Sequence, residues 1–496
     1  MRRLWKDQSG NMAAVVAMAA VPLMMAGGAA VDYGNWVSVK ARLQAATDAP
    51  ALAADREVNL TDEELQRVAT DYFHSNFGKP KNAGTPEMTL TVSQDGKLRI
   101  DAHVTVDNYL MKVAGQNNQV LSATAEVSKE STGLEVVLVF DNTGSMASQS
   151  RLSTLKVAAN DFVEILFGPR AEADSLKVGV VPFSQFVNVG PDKANAPWLD
   201  ISGLNPLSQV NFSSTSGADP SHNWEAWQTL RNRTWTGCVE SRAGNKSVDD
   251  LAPTTAIPAT LFPPAFAPDE PDYSGYYNSY LNDRTKNSSH SYRQRYARKY
   301  RNASVSSSSR GPQKGCNIQP IQALTNQKDP VLETINNMRA DGYTHVAEGV
   351  GWGLRVLSPG EPFSEGVSYD NKEITKAMVL LTDGENTFDT NGLSGNINGS
   401  TYTAYGYLKE ARLGSSNYWT AITAQNNLLR DACNNVKSAG IVVYSFAYNV
   451  PSSTQRNLIK ACASSPEKYF DPPSNAALVK NFQMIADELR RLHLSK

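Results

Sequence analysis

Cysteine is scarce in this chain. Cys238, Cys316, Cys433 and Cys462 are the only four in 496 residues, and no two form a CxxC pair. That spacing argues against a zinc cluster and leaves two disulfides as an option in an oxidising compartment. Excess charge is lacking too: 47 Lys and Arg face 49 Asp and Glu, a net charge of -2, with a pI near 6.3. The balance gives no electrostatic case for a nucleic-acid partner. Common catalytic signatures are also missing, with no GxxxxGK(S/T), HExxH or GxSxG. Phosphate-loop, zinc-protease and serine-hydrolase chemistry lose their usual sequence support. At 496 residues the chain exceeds one ordinary core, so two or more folded units are expected.

One stretch runs from Met12 to Val31 without a charge, and about 20 apolar residues are enough to cross a bilayer. Arg2, Arg3 and Lys6 precede it, which keeps the amino end cytoplasmic and exports the rest. The alternative is a cleaved secretory signal, with Ala26 to Ala30 as its peptidase site. The length of the block favours an uncleaved anchor, as does the helical spacing of Trp36, Val39, Leu43 and Ala46 beyond it. Pro22 is tolerable within a membrane helix; the helix is expected to continue past the span to about residue 54, with Pro50 ending or kinking it. Residues 8 to 54 resemble the amino-terminal segment of TadE/TadG-type Flp-pilus (tight adherence) assembly proteins. The likeness lies in the Gly10-Asn11 entry, Pro22 within the span, Asp32 just past it, and Arg42 to Ala46. Related pilin-like proteins are cut after a glycine and carry a glutamate five residues on; here Val15 stands in that place after Gly10. The resemblance therefore implies an anchored assembly factor rather than a pilus subunit.

Residues 58 to 130 read as a small α+β unit. Thr61 looks like the N-cap of a helix carrying Leu65, Val68, Tyr72 and Phe73. Met88 to Val92 and Leu98 to Val106 alternate around Asp95-Gly96, a hairpin signal, and Val120 to Val127 adds a third strand. Nothing in it suggests catalysis.

The main domain, 131 to 496, is organised around Leu134 to Met146. Leu134, Val136 to Val139 and Phe140 form the near-continuous apolar run of a parallel strand buried on both faces. It ends in Asp141-Asn142-Thr143-Gly144-Ser145, with oxygen ligands at alternate positions and a glycine that lets the backbone turn. A helix begins near Gln149, with Leu152, Leu155, Ala159, Phe162, Val163 and Leu166 on one face. Further strands are expected at Leu176 to Phe183, Ala377 to Leu381 and Ile441 to Tyr448. Strands alternating with helices predict an α/β doubly wound parallel sheet, with ligand loops at its carboxyl edge. If the strands are adjacent, Thr344 and Asp383 can reach the first loop.

Together these loops resemble the metal-ion-dependent adhesion site of a von Willebrand factor A domain, whose first motif is Asp-x-Ser-x-Ser. It stands here as Asp141, Thr143 and Ser145, with Thr344 as the separate threonine and Asp383 as the second aspartate. The resemblance implies a divalent cation at these five positions, Mg2+ foremost with Mn2+ or Ca2+ as alternatives, and a partner carboxylate that completes its shell. The plainer reading is a loop cap, with Asp141 and Ser145 bonded to backbone amides. Asp-Asn-Thr-Gly-Ser also resembles the Asp-Lys-Thr-Gly-Thr of magnesium-dependent aspartyl-phosphate phosphotransferases, with Asp383 and Asp389 as distal ligands. There, however, Asn142 replaces the lysine and Thr-Asp-Gly replaces Gly-Asp-Gly.

Two insertions interrupt the domain, about 190 to 328 and 387 to 418. In the first, Tyr292, Tyr296 and Tyr300 alternate with Arg293, Arg295, Arg298, Lys299 and Arg301. A solvated, mobile loop is the expectation, with contact to anionic lipid, glycan or a partner as the alternative. Cys238 and Cys316 bracket this stretch, where a disulfide would close its base. Cys433 and Cys462 flank the Ile441 strand, as a pair or as two buried thiols. Trp235 to Cys238, Gly315-Cys316 and Gly349 to Arg355 also look like the tight-adherence proteins. The reading overall is a non-enzymatic, single-pass inner-membrane protein with its carboxyl-terminal domains in the periplasm. It binds other pilus or secretion-apparatus proteins through an acidic residue, with a stand-alone envelope adhesin as the alternative.

Overall fold

A 46-residue helix, α1 (Ser9–Ala54), opens the structure. The computed structural model describes residues 9–54, 62–92, 98–127, 133–285, 289–371, 373–393 and 395–494. Arg2, Arg3, Lys6, the cap expected at Thr61 and the turn at Asp95-Gly96 lie outside the described residues. Along α1, Val15, Val16, Met18, Leu23, Met24 and Met25 are exposed, whereas Val39, Leu43 and Ala46 are buried. Pro50 does not end the helix, which continues four residues further. So close to a terminus, proline removes one backbone bond and leaves the preceding turns intact.

The buried half of α1 packs with α2 (Asp62–Phe77) and with a sheet of β1 (Glu87–Val92), β2 (Leu98–Asp107) and β3 (Asn118–Val127). The sheet is antiparallel, with Glu87 opposite His103 and Leu98 opposite Val127. Val39, Leu43 and Ala46 meet Phe73, Phe77, Val104 and Val106 in one apolar cluster. Residues 1–132 and 491–496 form this first unit, and 133–490 the second.

The second unit starts with β4 (Gly133–Asp141), every residue of which is buried. Each Val or Leu so enclosed contributes about 1.5–3 kcal/mol, which is why the uninterrupted apolar run forms a central strand. From it α3 (Arg151–Phe167) leads to β5 (Leu176–Phe183). The first insertion then holds β6 (Val187–Asn188), α4 (Asn223–Thr229), β7 (Cys238–Val239) and α5 (His290–Arg295). Next come β8 (Gln322–Thr325), α6 (Lys328–Asn337), α7 (Val346–Leu357) and β9 (Ile374–Thr382). Beyond the second insertion lie α8 (Tyr418–Ser438), β10 (Val442–Ala447), α9 (Ser453–Cys462), β11 (Tyr469–Phe470) and α10 (Asn475–Leu494).

The main sheet has the order β11-β10-β9-β4-β5-β8. All pairings are parallel except β5 with β8. The sequence pattern puts β8 inside the first insertion; it is instead the antiparallel edge of the sheet, so the excursion ends before it. Helices cover both faces. On one, Phe482 of α10 meets the rings of Phe140, Phe162 and Phe446. On the other, α7 lies directly on β4 and β9: a Cβ at Gly353 would stand 2.6 Å from Val139 Cγ2 and 2.8 Å from Met378 Cε.

The first insertion is not the solvated, mobile loop expected of it. Ala297, Lys299 and Tyr300 are wholly buried, and Tyr300 packs against Phe212 and Phe266. Lys299 Nζ pairs with Asp269 at 2.7 Å, both side chains enclosed. The second insertion joins the first: Arg412 donates to Glu240 at 2.6 Å, and Asn398 to Glu270 at 3.1 Å. Together they form an extension of the core.

Candidate metal centre

Strand pairing creates the site. β4 and β9 are neighbours with Phe140 opposite Leu381, so their carboxyl ends release Asp141 and Asp383 side by side. Asp141 is fully buried. Its Oδ1 accepts from the Thr143 amide at 2.8 Å and its Oδ2 from Thr382 Oγ1 at 2.6 Å. Burial first, and the charge of Asp383 second, push Asp141 up to about 7 against the partial relief of those bonds. Asp383 receives Ser145 Oγ on Oδ1 at 2.6 Å and Arg151 Nη1 on Oδ2 at 2.7 Å. Thr143 Oγ1 and Ser145 Oγ lie 3.0 Å apart.

Backbone bonds bring in the third loop. Asp341 N donates to Asn142 O at 2.8 Å, and Gly144 N to Gly342 O at 3.0 Å. Thr387 N in turn donates to Thr344 O at 3.0 Å. Gly384 ties Thr344 to the first loop: a Cβ there would lie 3.3 Å from Thr344 Oγ1 and 3.9 Å from Ser145 Oγ. All five candidate ligands therefore converge on one place. A cleft of about 710 Å³ opens over it, lined by Thr143, Ser145, Thr344, Gly384, Lys314 and Asp389.

Among the described residues no three His, Cys, Asp or Glu side chains gather as a metal cluster. The donor set here is instead two carboxylates and three hydroxyls. All are hard oxygens, the chemistry that suits Mg2+, Mn2+ or Ca2+ and not softer metals. The proximity of Asp141 and Asp383, offset only by the single cation of Arg151, and the space that Gly384 leaves between two hydroxyls, fit a small cation. Arg151 is the participant that sequence reasoning misses. It comes after two residues with left-handed backbone, Gln149 (φ 53) and Ser150 (φ 57), which turn the chain as α3 starts. Its only sequence signal is a cation at the first position of the helix after the loop.

The cysteines lie apart from this centre. Cys238 joins Cys316, with Cα atoms 5.9 Å apart, and Cys433 joins Cys462 at 5.0 Å. The first bond connects β7 to the segment before β8, and the second α8 to the end of α9.

Residues 10–56 match the family model Tad, putative Flp pilus-assembly TadE/G-like. This TadE/G-like segment covers most of α1. No curated protein matches the chain. Among solved structures, pilus adhesin SpaC from Lactobacillus rhamnosus GG is 13% identical, with a TM-score of 0.34, over 84% of this chain and 36% of SpaC. This chain thus spans about a third of SpaC's length. The vWF domain of type V pili tip protein Mfa5 from Porphyromonas gingivalis is 10% identical, with a TM-score of 0.33, over 72% of this chain and 95% of that one. A von Willebrand factor type A protein from Catenulispora acidiphila is 9% identical, with a TM-score of 0.28, over 82% and 50%. At scores this low, the fold rests on strand order and register. The second unit is a doubly wound, mostly parallel α/β sheet.

Proposed function

We propose that this is a membrane-anchored, metal-dependent binding protein of Flp (tight adherence) pilus assembly. Asp141, Thr143, Ser145, Thr344 and Asp383 would hold the cation, with Mg2+ the best match. A bound Mg2+ would supply positive charge at the cleft floor and attract a carboxylate from another pilus or secretion-apparatus protein. The chain's own residues do the rest: Thr382 and the Thr143 amide orient Asp141, and Ser145 orients Asp383. Convergence of three loops at the carboxyl edge of adjacent strands carries this reading.

The helix α1 contains the described stretch long and apolar enough to cross a membrane. Anchoring in the inner membrane, amino end in the cytoplasm and both units in the periplasm, is the topology we propose. An oxidising periplasm is also where two cysteine pairs would persist. The phosphotransferase alternative has less support. Asp141 is enclosed with both oxygens engaged, a poor state for in-line attack on a phosphate.

Calorimetry of the full chain in detergent with MgCl2 and MnCl2, beside Asp141→Asn and Asp383→Asn, tests the centre. Saturable binding by the parent and its loss in both folded variants is the expected result. A folded parent that binds neither metal overturns the metal reading. Capture of a pilus-apparatus protein that EDTA abolishes and Mg2+ restores is the expected behaviour toward a partner.

A further inference from the structure

The turn between β2 and β3 carries an apolar surface that the first unit's core does not use. Tyr109, Leu110 and Val113 are 52%, 50% and 89% exposed, on and beside a single 3-10 turn at Met111–Ala114. The turn is fastened to α1 at three levels. Asp32, wholly buried, accepts from the amides of Tyr109, Leu110 and Met111 at 2.7, 3.0 and 2.7 Å. Trp36 Nε1 donates to Asn108 Oδ1 at 2.9 Å. At Gly28 the approach is so close that a Cβ would lie 2.9 Å from Leu110 Cβ.

That last contact sets the solvent. Gly28 lies inside the charge-free stretch from Met12 to Val31, about 6 Å along the helix from Asp32. Whatever surrounds Gly28 also surrounds Leu110. Around the same level α1 exposes Val31, Tyr33 and Val37, while Tyr33 and Trp36 stack edge to face at 6.3 Å. With Tyr109 they make a group of amphipathic rings of the kind found where hydrocarbon meets water. Exposed Lys112 on the turn suits lipid phosphate. Three amide donors allow a carboxylate at that boundary, where an unpaired one would be strongly disfavoured.

We propose that the Tyr109–Val113 turn is a second membrane contact, seated in the headgroup layer of the leaflet from which α1 emerges, with Asp32 as its clamp. The occupant of this surface is phospholipid. The proposal rests on α1 being a membrane anchor, and its test separates the two.

Single-cysteine additions Met24→Cys, Val113→Cys and Thr124→Cys would carry an environment-sensitive fluorophore in the full chain, reconstituted into phosphatidylethanolamine–phosphatidylglycerol vesicles. Thr124 is the aqueous control, since its carbonyl accepts from Gln44 at 3.2 Å, about 18 Å along α1 from Asp32. Quenching by brominated lipid at 24 and 113, with 124 reached only by acrylamide, is the expected result. Adding Asp32→Ala should expose 113 to acrylamide and leave 24 in lipid. If 24 is in lipid and 113 in water, this proposal fails and the anchor stands. Position 24 in water overturns the anchor and the proposal with it. Position 113 shielded from both quenchers means a protein covers the turn, and the lipid assignment is wrong.

Discussion

Arg151 reaches Asp383 Oδ2 at 2.7 Å, its side chain 15% exposed and the carboxylate fully enclosed. A fixed cation beside a candidate metal ligand opposes a second cation by Coulomb repulsion, which is strong in a poorly solvated site. Removing it leaves Asp141 and Asp383 facing each other with less compensation. Arg151→Met is therefore expected to tighten Mg2+ binding about tenfold, ~1.4 kcal/mol, and to lower stability without Mg2+. Calorimetry and thermal melts with and without Mg2+ check this; weaker Mg2+ binding would make Arg151 a support of the site instead of a competitor. One position from Thr344, His345 is enclosed between the rings of Phe388 and Tyr405, both at 5.2 Å. Nε2 faces Thr387 O at 3.2 Å, while Nδ1 has no partner. Burial pushes its pKa down to about 3, so the folded chain holds it neutral where the unfolded chain, near 6.5, takes a proton. The associated stability is present above about 6.5 and is lost as pH falls toward 3, by about 1.4 kcal/mol per unit. Between pH 7.5 and 5.5 the parent should lose about 1.4 kcal/mol more than His345→Asn in denaturant titrations. Equal losses in both would show that His345 does not titrate this way.

Among the elements, β4 was legible because a strand buried on both faces needs an uninterrupted apolar run, and Leu134 to Phe140 supplies it. Asp141 to Ser145 and Asp383 stand out in the sequence because they follow apolar strand runs, whereas Thr344 lies in the turn between α6 and α7. β8 was not legible: it has four residues, mostly half-exposed, and its pairing with β5 is set by distant chain. The first insertion misleads for a related reason. Its polar composition suggests solvent, yet its core is made of contacts such as Phe212 with Tyr300 and Asp269 with Lys299, which no local period reveals. The stretch from His290 to Arg301 divides accordingly, with Lys299 inside and Arg295 outside. Lys299→Ala strands a buried carboxylate and should lose about 3 kcal/mol or more. Arg295→Ala should stay within about 0.5 kcal/mol of the parent. Chemical denaturation distinguishes them; similar small effects would return this stretch to the status of a loose excursion.

At the scale of the whole molecule, the sequence separates the two halves of α1 by their patterns. An unbroken apolar block gives exposed Val15, Val16, Met18, Leu23, Met24 and Met25, and helical spacing gives buried Val39, Leu43 and Ala46. The TadE/G-like match at 10–56 spans both, and one continuous helix joins them. That continuity has a mechanical consequence. With no hinge between its exposed apolar half and its sheet-packed half, α1 is a lever. Ala46 stands about 21 Å beyond Asp32, so a lean of roughly 15° displaces it by about 5 Å. Under the proposed anchoring, tilt imposed by bilayer thickness or lateral pull becomes sideways displacement of the folded unit built on the helix's far end.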